Sequence, residues 1–200
     1  MAESRREASK TRCRQQILKA SRRLFKEKGY EKTMIDDVAD KAEISKATLY
    51  NYFPNKEGLL EGTMEEEIDA FMKYTNSIKD MGSIDERIRK ALKFLILDSI
   101  AFIGVSRRIL FLNACVESPM YGKANDVKEV FAVMTEQAKA EKIFKKEIPT
   151  KDIVDLLMGV YLNAQFQWAD IEDISEEECG ERIDRMLDLA LNGCYTKSSL

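Results

Sequence analysis

Between Ser45 and Lys56 the chain reads SKATLYNYFPNK, and its polar groups are of the kinds that meet phosphates and base edges. The hydroxyls of Ser45, Thr48, Tyr50 and Tyr52, the amide of Asn51 and the ammonium of Lys46 suit such contacts, and the methyl of Ala47 suits a thymine methyl. Leu49 and Phe53 lie four apart, so on a helix they face inward and leave the polar set on the remaining circumference. Pro54 stops that helix, and Lys56 falls in the first turn of the next, where free backbone N–H groups attract phosphate. Catalytic chemistry has far less to work with. The chain has no histidine, which excludes Ser/His/Asp and Cys/His arrangements, and no carboxylate or lysine motif takes their place. Its four cysteines, at 13, 115, 179 and 194, show no CxxC spacing, so no metal site, no cofactor and no disulfide framework is expected. Cys13 and Cys115 stand among apolar residues and read as buried thiols.

The reading surface needs a partner helix to hold it. Thr33 reads as an N-cap, with Asp36 three residues on, and Ile35, Val38, Ala39 and Ala42 recur at helical spacing. Ala42-Glu43-Ile44 leaves just enough chain for a tight turn before Ser45 caps the second helix. This run resembles the DNA-binding domain of the TetR family of bacterial transcriptional repressors. The features that carry the resemblance are Thr33, Val38-Ala39, Ala42, Ile44-Ser45, Leu49-Tyr50-Asn51-Tyr52-Phe53 and Lys56-Glu57-Gly58-Leu59. Glu43 and Ala47 depart from it, standing where the family pattern has glycine. The resemblance implies a homodimer on double-stranded operator DNA, joined through its last two helices and answering to a small-molecule effector. Its DNA-contact residues would be Thr33, Ser45, Lys46, Thr48, Tyr50, Tyr52 and Lys56, to which the helix geometry adds Ala47 and Asn51.

The charge distribution agrees. Residues 1–56 hold 14 Lys and Arg against 8 Asp and Glu, a net +6, which leaves 18 against 27, a net −9, for residues 57–200. Only the first segment suits a polyanion, and the acidic remainder would orient the protein on it. With 34% charged and 44% hydrophobic residues, the 200-residue chain reads as globular. MAESRREASK is charged with no apolar run after it, and Phe94–Val105 is too short to span a bilayer and is interrupted by Asp98. A cytoplasmic protein without membrane contact is expected.

Taken in order, residues 1 to about 10 read as frayed, followed by a helix from about Lys10 to Lys28 with Cys13, Ile17, Ala20, Leu24 and Phe25 on one face and Gly29 closing it. After the helix-turn-helix, Asn55 to about Asp80 reads as one long helix and Ser83 to about Ser106 as the next. Between Phe94 and Val105 that helix is apolar on every side, which suggests a central position. Further helices are expected over Arg107–Glu117, from Ala124 to Phe144, from a Thr150 cap to about Ile171, and after the Ser175 cap. No strand alternation or internal repeat appears. The expected fold is all-α, with a three-helix DNA-binding domain over residues 1–56 and an antiparallel helical ligand-binding and dimerisation domain over residues 57–200.

Asp98, set in so apolar a helix, calls for a partner or a proton. Arg107 or Arg108 would serve as the partner. The sharper alternative is an effector pocket lined by Phe94, Asp98, Phe102, Phe111, Asn113, Met134, Gln165 and Trp168, in which aromatic walls and one anion receive a lipophilic cation. The leading functional reading is a ligand-responsive repressor. The alternatives are a regulator of the same fold controlled by a protein partner and, from another class, an all-helical enzyme with a basic DNA-binding domain.

Overall fold

The computed structural model describes residues 2–100, 102–168 and 173–195. Those residues form the helices α1 (Ala2–Lys28), α2 (Ile35–Lys41), α3 (Lys46–Tyr52), α4 (Lys56–Ser77), α5 (Ile84–Ile100), α6 (Ile103–Ala114), α7 (Asn125–Ala140), α8 (Thr150–Gln167) and α9 (Glu176–Leu191), with no strand among them. The all-α expectation is met. The chain divides into two compact units, one made of Met1–Glu66 with Gly104–Tyr121 and the other of Glu67–Ile103 with Gly122–Leu200. The first unit therefore extends beyond residue 56 and takes in most of α6, a segment expected in the second domain.

In the first unit α1 is the brace. It starts at Ala2, not near Lys10, because Ala, Glu, Arg and Lys are good helix formers and no Gly or Pro interrupts them. Ile17, Leu18, Ala20, Leu24 and Phe25 form its buried stripe, against which Val38, Ala39, Leu49, Phe53, Leu59 and Leu60 are also buried. Gly29, at φ 80, ends it. Thr33 does not cap α2. Its side chain is buried, and its hydroxyl donates to the carbonyls of Gly29 at 2.8 Å and Leu24 at 3.3 Å, so it closes the end of α1 while Met34 takes the N-cap place. The Met34 N–H is served by the Asp37 carboxylate at 3.4 Å. Asn55 caps α4 by accepting from the Gly58 N–H at 2.8 Å. At Gly62 a β-carbon would stand 2.9 Å from both Leu18 Cδ2 and Phe53 Cε1. The close approach of α4 to α1 requires glycine there.

The second unit packs α5 against α7, α8 and α9, with α8 also between α7 and α9. Its core holds Phe71, Ile84, Ile88, Leu92, Ile96, Phe131, Phe144, Leu157, Ile183 and Leu187, all fully buried or nearly so. The helix expected to run to Ser106 ends at Ile100, and the one expected from Arg107 begins at Ile103, with the Phe102 N–H turned back onto the Ser99 carbonyl at 3.2 Å. What reads as one helix apolar all round is two helices, α5 and α6, separated by a short break. Asp98 is consequently exposed: the buried stripe of α5 runs Ile84, Ile88, Ala91, Leu92, Ile96 and Ser99, and Asp98 points away from it. Arg108, one of its expected partners, pairs with Glu31 at 3.6 Å.

The α7 helix stops at Ala140 and not at Phe144, because Lys142 enters the left-handed region at φ 62 and the Ile143 N–H returns to the Ala138 carbonyl. Thr150 is the first residue of α8 and not its cap, its hydroxyl being engaged by Lys139 Nζ at 2.6 Å and by Glu136. The expected end of that helix at Ile171 lies outside the described residues. In α9 the Ser175 cap is realised with Glu178 completing a reciprocal box. Cys13 and Cys115 are half-buried, Cys179 and Cys194 are the buried pair, and all four are free thiols. Among the described residues no helix is long and apolar enough to cross a membrane.

Gly62→Ala should lower the thermal unfolding midpoint by the equivalent of about 1–3 kcal/mol, because Leu18 and Phe53 are both buried and have little room to yield. A circular-dichroism melt of the variant against the parent chain measures it.

Candidate nucleic-acid interface

Two seven-residue helices and the turn between them build the surface. The turn is closed by Ala42 N–H to the Val38 carbonyl at 2.9 Å, Glu43 N–H to Asp40 at 3.1 Å and Ile44 N–H to Ala39 at 3.1 Å. Gln16 of α1 donates to the Ala42 carbonyl at 2.7 Å and so ties the turn to the brace. Glu43 holds φ 55, the left-handed conformation that glycine adopts without cost.

On α3 the Ser45 hydroxyl accepts from the Thr48 N–H at 3.1 Å and shares a 2.8 Å hydrogen bond with the Thr48 hydroxyl. Leu49 and Phe53 are buried, while Ser45, Lys46, Ala47, Tyr50 and Asn51 are exposed. Lys46, Ala47, Tyr50 and Asn51 occupy one continuous arc, since residues four apart share a face. Thr48 and Tyr52 are half-buried at its margins. Burial, followed by the neighbouring Cys13 thiol of α1, pushes the Tyr52 phenol up.

The charges at the helix starts are paired. Lys46 Nζ donates to Asp36 at 2.6 Å, a contact that raises its ammonium above the ordinary lysine range. Lys28 Nζ donates to Asp37 at 2.8 Å; this bond, followed by the Met34 N–H, holds the Asp37 carboxyl below its ordinary value. Lys56 is half-buried at the start of α4 and donates to the Glu31 carbonyl at 3.1 Å. Of the nine residues expected to meet DNA, eight lie on α3, its cap and the start of α4; Thr33 alone is withdrawn into the core. The sequence pattern did not single out Met34, which is 65% exposed at the start of α2. It also missed Tyr30 and Arg108, which stand beside Lys56.

Residues 17–63 match the model of the bacterial regulatory proteins of the tetR family. Over that stretch the chain is a TetR-type DNA-binding domain. Over 153 residues, 72% of this chain and 79% of the other, it is 26% identical to the negative transcriptional regulator IcaR of the biofilm operon icaADBC in Staphylococcus aureus. It is 35% identical over 66 residues to the HTH-type transcriptional regulator YuxN of Bacillus subtilis, a match that spans 33% of this chain and only 23% of that protein. A TetR/AcrR-family regulator from Thermobifida fusca superposes with a TM-score of 0.66 at 25% identity, over 90% of this chain and 97% of that one. The protein is a DNA-binding transcriptional regulator.

The residues expected to line an effector pocket do not all share a unit. Phe111, 61% exposed, and Asn113 belong to the first unit, whereas Phe94, Asp98, Phe102, Met134, Gln165 and Trp168 belong to the second. In the second unit Phe94 is stacked on Tyr74 with ring centres 4.2 Å apart. Trp168 donates to Asn163 at 2.8 Å and already carries the Arg182 guanidinium 4.1 Å over its ring. Buried Gln165 donates to the Ser99 hydroxyl, which also meets the Tyr161 hydroxyl. Burial, followed by the Glu67 charge and with a smaller push from Asp98, drives the Tyr161 phenol upward. Ser99, Tyr161 and Gln165 thus make a polar knot between α5 and α8 within an apolar core.

Glu43→Gly should raise the thermal midpoint slightly or leave it unchanged. Relief of about 1 kcal/mol of left-handed strain outweighs or balances the added freedom of the unfolded chain. Differential scanning calorimetry decides it, and a clear loss would mean that the Glu43 side chain contributes a contact of its own.

Proposed function

We propose that the protein is a repressor that binds a near-palindromic operator as a homodimer and releases it when a small molecule enters the second unit. The observation that carries this reading is the two-faced α3: Leu49 and Phe53 anchor it, and Lys46, Ala47, Tyr50 and Asn51 project on the opposite arc for a major groove. Ser45, Tyr52 and Lys56 flank that arc and serve the phosphates, while Thr48 at its margin reaches base edges. Repression is favoured by the likeness to IcaR, a negative regulator. Residues 1–56 and 57–200 are the proposed functional division, and a cytoplasmic location without membrane contact suits the role.

Dimerisation through α8 and α9 is supported by apolar groups left on their outer faces. Leu162 and Phe166 are 44% and 49% exposed and follow Gly159 at intervals of three and four, beside Leu156 at 38%; Leu189 of α9 is 76% exposed. Nothing stands within 4 Å of a β-carbon added at Gly159, so a partner helix has open access there. Faces of this kind bury themselves against a second copy about a two-fold axis. The proposed effector residues are those of the second unit, Phe94, Phe102, Met134, Gln165 and Trp168, with the Ser99 and Tyr161 hydroxyls as polar groups and Asp98 at the exposed margin. An apolar region with a few convergent polar groups is the ordinary chemistry of a small-molecule site.

Lys46→Ala should weaken binding to a selected operator and reduce the salt slope of log K by about one, measured by fluorescence anisotropy between 50 and 200 mM salt. Thr48 or Tyr50 substitutions should instead change which operator is preferred, at about 1–3 kcal/mol per affected base pair in a competition assay. Phe166→Glu combined with Leu162→Glu should yield a folded monomer in sedimentation velocity with much weakened operator binding. A variant that remains dimeric would place the interface elsewhere.

A further inference from the structure

Lys56 is held by a constellation that the arc on α3 does not account for. Its ammonium stands 4.3 Å over the ring of Tyr30 and donates to the Glu31 carbonyl at 3.1 Å. The Arg108 guanidinium, from α6, lies 5.4 Å from the centre of the same ring and 3.6 Å from the Glu31 carboxylate. Tyr30 is in turn wedged against buried Phe25, with ring centres 5.2 Å apart. Two cations thus share one aromatic ring, an arrangement that would repel if the Glu31 carboxylate did not offset the charge. Arg108 accepts a cost for its place: its Nε is buried with no hydrogen-bond partner, so the guanidinium is fixed by the ring and the carboxylate.

We propose that Tyr30, Glu31 and Arg108 are positioning residues for DNA binding, which hold the Lys56 ammonium at the N-terminal end of α4 before the phosphate arrives. The proposal rests on the reading of Lys56 as a phosphate contact. A lysine side chain is rich in rotamers, and fixing one on binding lowers affinity about 2- to 12-fold. The Tyr30 face and the Glu31 carbonyl meet that cost in the free protein, and Arg108 fixes the ring and the loop that carry them. The phenol of Tyr30 is pushed up to about 12 by burial, followed by the Glu57 charge, so the ring stays neutral throughout the physiological range. Arg108 then acts on DNA through Lys56 without touching it.

The experiment is operator binding by the full chain, followed by fluorescence anisotropy across a salt series, for Lys56→Ala, Arg108→Gln, Glu31→Gln and the doubles of the last two with Lys56→Ala. Lys56→Ala should weaken binding and lower the salt slope by about one. Arg108→Gln and Glu31→Gln should each weaken binding about 3- to 10-fold in the parent chain and have no effect once Lys56 is alanine. Tyr30→Leu should reproduce the loss, and Tyr30→Phe should restore most of it, because the ring face and not the hydroxyl holds the ammonium. If Lys56→Ala leaves affinity and slope unchanged, the phosphate reading of Lys56 fails and the proposal falls with it. If Lys56→Ala acts but Arg108→Gln and Glu31→Gln add to it independently, Lys56 stands as a contact and the positioning role is overturned. Thermal melts of each variant accompany the series; should Arg108→Gln not fold, the Glu31→Gln pair decides the outcome alone.

Discussion

Neither α2 nor α3 is long enough to stand by itself. A helix of seven residues is far below the length at which an isolated helix persists in water, so both exist only because the apolar stripe of α1 receives them. Ile17, Leu18, Leu24 and Phe25 on one side and Val38, Leu49 and Phe53 on the other are all buried. This contact fixes the tilt of α3, and with it the direction in which Lys46, Tyr50 and Asn51 project. Gly62 lets α4 come equally close, so that Lys56 at its start is placed by the same packing.

Side-chain hydrogen bonds then finish what packing begins. The backbone groups at the ends of short helices form a large share of their total, and each needs a partner. Thr33 serves the carbonyls that end α1, Gln16 the Ala42 carbonyl in the turn, Ser45 the first turn of α3 and Asn55 the first turn of α4. Four polar residues at four junctions keep the motif rigid without lengthening any element. Glu43 is the one junction residue whose backbone is strained, because three turn hydrogen bonds hold it in the left-handed region.

Where the physics is local, the sequence was legible. Ser45, Ser175 and Pro54 act as their types suggest, and the four-residue spacing of Leu49 and Phe53 announced which side of α3 would be buried. Thr33 was misread because a hydroxyl near a helix start has two backbone ends within reach, and here the preceding one wins. Phe94–Val105 was misread because two amphipathic helices meeting at a short break add up to an all-round apolar pattern; this hid the exposed position of Asp98. The grouping of Tyr30, Lys56 and Arg108 had no local signal, since nothing in the neighbourhood of Arg108 refers to a loop far upstream. Phe111 and Asn113 were placed with the second domain for the same reason: membership of a unit is decided by long-range contact.

The division of α3 into an anchored side and an open side separates two kinds of selection. Leu49 and Phe53 answer to folding, whereas Lys46, Ala47, Tyr50 and Asn51 touch little of their own protein apart from the Lys46 pair with Asp36. Exposed positions of this sort accept substitution at almost no cost in stability. On the proposed reading of the arc, a lineage carrying this scaffold can therefore drift to a new operator one arc residue at a time, with no compensating repair in the core. Lys56 lacks that freedom, because the ring and carbonyl around it, and Arg108 beyond them, would have to change with it.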